Sequence, residues 1–84
     1  YWQRKDKEQP YDRALFAKLR ALRKEIADVE DIAPFIVFND ATLSELARKQ
    51  PVSSNEMLMV SGIGDTKLAR YGGPFLELIQ QHKA

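Results

Sequence analysis

The chain contains no cysteine and only one histidine, His82, among its 84 residues. Without thiols it can form no disulfide, and it offers neither a thiolate nucleophile nor a cysteine-containing zinc site. His82 has no second ligand at a metal-binding spacing, so we interpret it as a residue of a helix end and expect no metal site.

Long apolar runs are also missing, and no signal-peptide pattern opens the chain. Because a helix that crosses a bilayer needs about 20 apolar residues, we expect a soluble protein of the cytoplasm. A large charge excess is missing as well: 13 basic and 12 acidic side chains leave a net charge of +1. That balance argues against a protein that coats nucleic acid, but it allows a local basic patch.

The sequence shows no catalytic constellation. Ser53, Ser54 and Ser61 lack a histidine base in any recognisable motif, and the carboxylates have ordinary uses as helix caps or surface charges. The Gly-Ile-Gly at residues 62–64 is not a nucleotide fingerprint, because the preceding strand and a third glycine are missing. We predict that this domain is not an enzyme and binds no cofactor.

Composition divides the chain into two regions. Residues 1–10 are mostly charged or polar and end in Pro10, which predicts a linker or flexible arm. Trp2 in this arm either docks on the domain or reaches another part of a longer protein; a first residue other than Met favours such a longer protein. Hydrophobic residues form 44% of the chain, enough for residues 11–84 to make one small domain.

The first predicted helix runs from residue 11 or 12 to about residue 28, with Asp12 as a plausible N-cap. Its apolar residues recur at helical spacing and predict a single buried stripe. The stripe consists of Leu15, Leu19, Leu22 and Ile26.

Basic residues form a row on the same helix. Arg13, Arg20 and Lys24 fall within about 40° of one another at ~100° per residue, whereas Lys18 and Arg23 lie elsewhere. Such a row is either an ordinary solvated face or a surface that binds phosphate.

Pro34 begins a short apolar run, Phe35 to Phe38. We predict a single helical turn rather than a strand, because a lone strand would have no partner. The run supplies more apolar side chains than one turn needs for the core, so we expect one of the four to face water.

Two further helices follow. Asn39 or Asp40 caps the first, which ends before Pro51, and Ser53 with Glu56 makes a capping box for the second. The inward-facing residues of the two helices are expected to be Leu43, Leu46, Ala47, Met57, Leu58 and Val60.

A last helical repeat continues to the end of the chain, and it is interrupted by Gly72, Gly73 and Pro74. Proline removes a backbone donor and clashes with the preceding turn, which predicts either a kink or a break. The repeat consists of Leu68, Tyr71, Phe75, Leu78 or Ile79, and His82.

The turn at Gly62 and Gly64 allows two interpretations. Backbone N–H groups at the start of the following helix favour a phosphate, and Lys67 and Arg70 add positive charge. Alternatively, the glycines serve only to turn the chain tightly between two helices. The spacing alone does not decide between them.

Three segments carry a family resemblance: YDRALFAKLRALR at residues 11–23, APFIVFNDATLSELA at 33–47 and MVSGIGDTKLARYG at 59–72. Together they resemble the HRDC domain of bacterial RecQ-family DNA helicases, over about residues 11–82. The resemblance implies an all-α, compact bundle of about five short helices with a helix-hairpin-helix-like glycine turn. It also implies a monomeric domain with no catalytic activity of its own.

The same resemblance implies an accessory role in an ATP-dependent 3'-5' DNA helicase of recombination and repair, so that ATP, Mg and Zn belong to the parent protein only.

In such domains a surface aromatic after the proline, together with basic neighbours, is associated with binding single-stranded or partially unwound DNA. The matching residue is Phe35. The predicted DNA-binding residues are Phe35 for stacking, Arg20, Arg23 and Lys24 from the first helix, and Lys67 and Arg70 beside the glycine turn. Gly62 and Gly64 are expected chiefly to make the tight connection and to add one backbone contact to phosphate.

Two departures from the family pattern affect this prediction. Phe35 lacks the phenolic hydroxyl of the tyrosine that some relatives carry there, and Asp28, Glu30 and Asp31 would repel phosphates. We therefore expect weak DNA binding. The alternative function is a regulatory module that docks on the helicase core or on a partner protein.

Overall fold

Five helical segments separated by loops make up residues 11–84, the part of the chain that the computed structural model describes. These residues form no strand, and the predicted all-α fold is confirmed. The segments are α1 (Arg13–Glu30), α2 (Pro34–Val37), α3 (Asp40–Lys49), α4 (Ser54–Leu58) and a final run of α5 (Asp65–Lys67), a π-helical turn (Leu68–Gly72) and α6 (Gly73–Lys83). The predicted linker at 1–10, with Trp2, lies outside the described residues.

Helix α1 begins where the sequence predicts, because the Asp12 carboxylate accepts a hydrogen bond from the Leu15 N–H at 2.9 Å. It continues two residues beyond the predicted end and stops at Asp31, whose φ of 58° is left-handed. The buried face differs from the predicted stripe: Leu22 and Ile26 are only partly buried. The buried positions are Leu15, Leu19, Arg23 and Ala27.

The single helical turn predicted after Pro34 is confirmed as α2. Val37 and Phe38 enter the core, whereas Phe35 is 67% exposed and Ile36 is 44% exposed. Two of the four apolar side chains therefore face water rather than one.

Capping fixes the next two helices. The Asn39 side chain accepts from the Thr42 N–H at 2.8 Å, and the Ser53 hydroxyl accepts from the Glu56 N–H at 3.2 Å. In a standard capping box the Glu56 carboxylate would accept from the N–H of the N-cap residue, Ser53. Here it accepts instead from the N–H of the preceding residue, Val52. Of the six predicted inward residues, only Leu58 is wrong, since its side chain is exposed.

The final run is neither broken at Gly72 and Gly73 nor a regular α-helix. A π-helical turn ends at Gly72, directly before α6, and Pro74 is the second residue of α6. A wider turn accommodates the proline ring, which would clash with the preceding turn of a regular helix.

The aromatic centre of the core joins α2 to this final run. The Phe38 ring packs edge-to-face against Phe75 at 5.0 Å between centroids and against Tyr71 at 6.2 Å. The packing of Phe38 thereby attaches α2 to the core, while the Phe35 side chain remains exposed to solvent. Within residues 11–84 no helix has the length and apolar character that crossing a membrane requires.

Candidate nucleic-acid interface

Among residues 11–84, Phe35 is the aromatic side chain that the fold leaves exposed. Pro34 is the first residue of α2, Phe35 follows it on the exposed side of the turn, and Val37, at the end of the turn, is buried in the core. A phenylalanine that is 67% exposed presents a large apolar face to water, and such a face is available for aromatic stacking.

A shallow groove separates α1 from Pro34. Ala17 and Ala21 contribute small side chains to its wall, and Arg20 and Lys24 contribute positive charge. The structure thus brings the exposed side chains of Arg20 and Lys24 together with the buried Arg23, which also lines the groove, next to the segment that carries Phe35.

The two exposed cations of this groove differ in their availability. Lys24 Nζ lies 2.9 Å from Asp28 Oδ2 in an exposed ion pair, whereas Arg20 has no hydrogen-bond or ion-pair partner among residues 11–84. Because an exposed pair one helical turn apart is worth only about 0.3–0.5 kcal/mol, Lys24 remains able to exchange its partner for a phosphate.

Arg23 lies in the interior, unlike its predicted position on the surface. Its Nη1 donates to the Phe38 carbonyl at 3.0 Å and to Asp40 Oδ1 at 2.8 Å, and the residue is 8% exposed. The guanidinium is therefore used to join α1 to the start of α3, and it does not belong with the surface cations.

Lys67 and Arg70 extend from the final helical run, Lys67 to α2 and Arg70 to the last residue of α1. Lys67 Nζ donates to the Ile36 carbonyl at 2.6 Å, and Arg70 Nη2 lies 3.6 Å from Glu30 Oε1. The Tyr71 hydroxyl donates to the same Glu30 oxygen at 3.1 Å. Both predicted phosphate-binding residues thus have partners within the protein.

The acidic residues at the end of α1 are held by these contacts. Asp28 pairs with Lys24 and Glu30 pairs with Arg70, while Asp31 terminates the helix. Asp28 and Glu30 therefore repel a phosphate less than unpaired carboxylates would. Each of them also forms an ion pair with a basic residue that could otherwise contact phosphate.

The glycine turn has a clear structural requirement at one position. Gly62 has a φ of 93°, and a Cβ there would overlap Thr42 Oγ1, which itself donates to the Ser61 carbonyl at 3.0 Å. Gly64, the N-cap of α5, has ordinary dihedrals, and a Cβ there would meet no atom within 4 Å. The turn therefore requires glycine at residue 62, whereas residue 64 has space for a larger side chain.

Two features were not predicted from the sequence. The Ile36 carbonyl accepts a hydrogen bond from Lys67, and Ala17 and Ala21 line the groove between α1 and Pro34. Pro34 predicts the helical turn of α2, whereas Phe35 is identified as its surface aromatic only by the family resemblance. No sequence signal links Lys67 to Ile36, because the two are 31 residues apart. Among residues 11–84, no cluster of three or more His, Asp or Glu side chains could hold a metal ion.

Comparison with known proteins identifies relatives of this domain. The family model described as the HRDC domain matches residues 12–79. The chain is 61% identical over 74 residues to the ATP-dependent DNA helicase RecQ of Haemophilus influenzae, covering 88% of this chain and 12% of that protein. It is 48% identical over 68 residues to the RecQ helicase of Bacillus subtilis, covering 81% and 12%. The chain thus spans about an eighth of the length of these relatives.

A solved structure agrees with this result. The third HRDC domain of D. radiodurans RecQ superposes with a TM-score of 0.79 at 35% sequence identity, and the match covers 82% of this chain and 91% of that one.

Proposed function

This chain belongs to the HRDC domain family, and from that premise we propose that it is a non-catalytic accessory domain of a RecQ-like DNA helicase that binds single-stranded or partially unwound DNA. It would assist the ATP-dependent parent enzyme in recombination and repair, in the cytoplasm and at the nucleoid. ATP, Mg and Zn would be bound by the parent protein and not by this domain.

The exposed ring of Phe35 is the observation that carries the proposal. Bases of single-stranded DNA are free to stack on an aromatic face, and such stacking is worth about 1–3 kcal/mol per base. Bases within a duplex are already stacked and paired, so the ring favours DNA that is single-stranded or opened.

Positive charge beside Phe35 supports the same function. Arg20 is free of protein partners within residues 11–84, and Lys24 has only an exposed one. Two phosphate contacts would give a slope of about −1.4 for log K against log salt, because each contact to a single strand contributes about −0.7. The first turn of α5 after Gly64 would add at most one backbone contact.

The alternative function, a module that docks on the helicase core or on a partner protein, rests on a different surface. Val29 is 85% exposed at the rim of a cleft that also includes Ile26, Tyr71 and Pro74. Exposed apolar groups around a cleft often mark protein contacts. This surface is formed by α1 and the final helical run rather than by Phe35.

A salt-dependent titration distinguishes the two functions. The 84-residue chain is titrated with a labelled single-stranded oligonucleotide and with the matching duplex, from about 20 to about 200 mM salt. We expect tighter binding of the single strand and an affinity that falls as salt rises. No binding at the lowest salt would overturn the proposal and leave the protein-docking alternative.

A further inference from the structure

The segment that carries Phe35 is too short to hold its own shape. Helix α2 has four residues and no side-chain cap at Ala33. A helix of one turn is far below the length at which a helix is stable alone. The direction of the Phe35 ring therefore depends on contacts that other elements make with α2.

Lys67 makes such a contact directly beside Phe35. Its Nζ donates to the Ile36 carbonyl at 2.6 Å and lies 6.0 Å from the centroid of the Phe38 ring. The side chain is partly buried, and the accepting carbonyl belongs to the last turn of α2, where backbone acceptors have no partner within the helix. A charge-assisted hydrogen bond is stronger than a neutral one, and because this bond is exposed to solvent, water reduces its net contribution.

A second cation holds the same segment from α1. Arg23 donates to the carbonyl of Phe38, two residues beyond Ile36. The backbone just after Phe35 thus accepts hydrogen bonds from two cations of different elements, Arg23 of α1 and Lys67 of α5. Neither cation reaches Phe35 itself.

On the basis of the proposed DNA-binding function, we propose that Lys67 is a positioning residue. It fixes α2 so that Phe35 faces an incoming base, and it does not bind phosphate. A phosphate contact would require Nζ to give up the Ile36 carbonyl, which would release the turn that carries the stacking ring. A ring that is already oriented loses less conformational entropy when it binds.

The salt dependence of binding separates a positioning residue from a phosphate ligand. Lys67→Met keeps the aliphatic stem and removes the donor, and we expect the affinity for a single-stranded oligonucleotide to fall about two- to tenfold with the salt slope unchanged. Arg20→Gln is the matched control: removing a phosphate contact lowers the affinity and reduces the slope by about 0.7. A slope reduced equally by Lys67→Met would overturn the inference.

A double-mutant cycle tests the link to Phe35. Once Phe35→Ala has removed the ring, Lys67→Met should lower the affinity no further, whereas Arg20→Gln should still do so. Additive effects of Phe35→Ala and Lys67→Met, or no effect of Lys67→Met alone, would contradict the positioning role. If Phe35→Ala alone left the affinity unchanged, the stacking proposal would fail first, and Lys67 would have no ring to position.

Two checks guard against a general loss of structure. Lys67→Arg keeps a donor and a positive charge, and it should retain most of the affinity. Circular dichroism and thermal melting of every variant establish that binding is compared between folded proteins. If Lys67→Met does not fold, Lys67→Gln takes its place in both the salt series and the cycle.

Discussion

His82 Nε2 lies 2.9 Å from Asp12 Oδ2 and so joins the last turn of α6 to the N-cap of α1, 70 residues earlier in the chain. Because a carboxylate can only accept, Nε2 carries the proton of this bond. On the other side of the ring, Lys18 Nζ lies 3.1 Å from Nδ1, and an ammonium can only donate. Nε2 therefore donates to Asp12, and Nδ1 accepts from Lys18.

The first prediction concerns stability in acid. The Leu15 N–H, followed by the hydrogen bond from His82, lowers the pKa of Asp12 below its ordinary value of 3.8. A carboxyl with a depressed folded pKa contributes stability that is present above about 3.8 and is lost as the pH falls through the folded pKa. We therefore expect Asp12→Asn, which can still cap the helix, to lose less stability on acidification than the unmodified chain.

Thermal melting between about pH 6 and pH 2 measures this difference. Both proteins lose stability as their other carboxyls protonate, so the informative quantity is the gap between the two curves, which should narrow below pH 3.8. Curves that stay parallel over that range would show that the Asp12 charge does not contribute.

Arg23 provides the second prediction. Its exposed partner Asp40 contributes little, but Arg23→Met leaves the carbonyl of buried Phe38 without its donor. An unsatisfied buried acceptor costs about 1–3 kcal/mol, and we expect a loss of that size in the free energy of unfolding. Denaturant titration measures it, with Arg20→Met as the exposed control, for which a change within about 0.5 kcal/mol is expected. Equal losses in the two variants would rule out the structural role of Arg23.

These contacts also show how far the sequence could predict this molecule. Caps at Asp12, Asn39 and Ser53 depend on neighbours three residues away, so a local pattern suffices to find them. The helical turn at Pro34 follows from the same kind of local rule. The exposure of Phe35 does not, because the local pattern predicts only that one of residues 35–38 faces water, and the family resemblance alone identifies Phe35.

The remaining features depend on distant partners. Arg23 can be buried because its guanidinium donates to the Phe38 carbonyl, which comes close only when the chain folds. Lys67 donates to the Ile36 carbonyl, which is 31 residues away in the sequence. On a helical projection both are simply polar residues, and charge alone suggests a phosphate ligand. The π-helical turn before Pro74 is likewise one of several ways to accommodate a proline, and helical packing selects it.

The two glycines of the turn give the third prediction. Gly62→Ala combines a φ of 93° with an overlap of the new Cβ and Thr42 Oγ1, and backbone strain of this kind alone costs about 1–3 kcal/mol. Gly64→Ala meets no atom within 4 Å, so its effect on stability should stay within about 0.5 kcal/mol. Denaturation midpoints of the two variants provide the comparison, and similar midpoints would be inconsistent with a structural requirement at Gly62.

Phe35 gives the fourth prediction, which separates binding from stability. Phe35→Ala removes an exposed ring, so the melting temperature should change little, while the affinity for single-stranded DNA should fall by about 1–3 kcal/mol. Val52→Ala, an exposed apolar residue on another surface, is the control and should leave binding unchanged. A large drop in the melting temperature of Phe35→Ala would show instead that the ring supports the core.

The last prediction concerns Asp28, the acidic residue that forms an ion pair with Lys24. Asp28→Asn removes a negative charge and also frees Lys24 Nζ from its partner at 2.9 Å, so binding of single-stranded DNA should tighten about two- to threefold, the equivalent of one exposed ion pair. Glu25→Gln removes the same charge from the same helix without releasing a cation, because Glu25 has no ion-pair partner within residues 11–84. The difference between the two variants, measured by titration at low salt, therefore isolates the release of Lys24 from the general change in charge. If both variants tighten binding equally, Lys24 is not the group that Asp28 competes for.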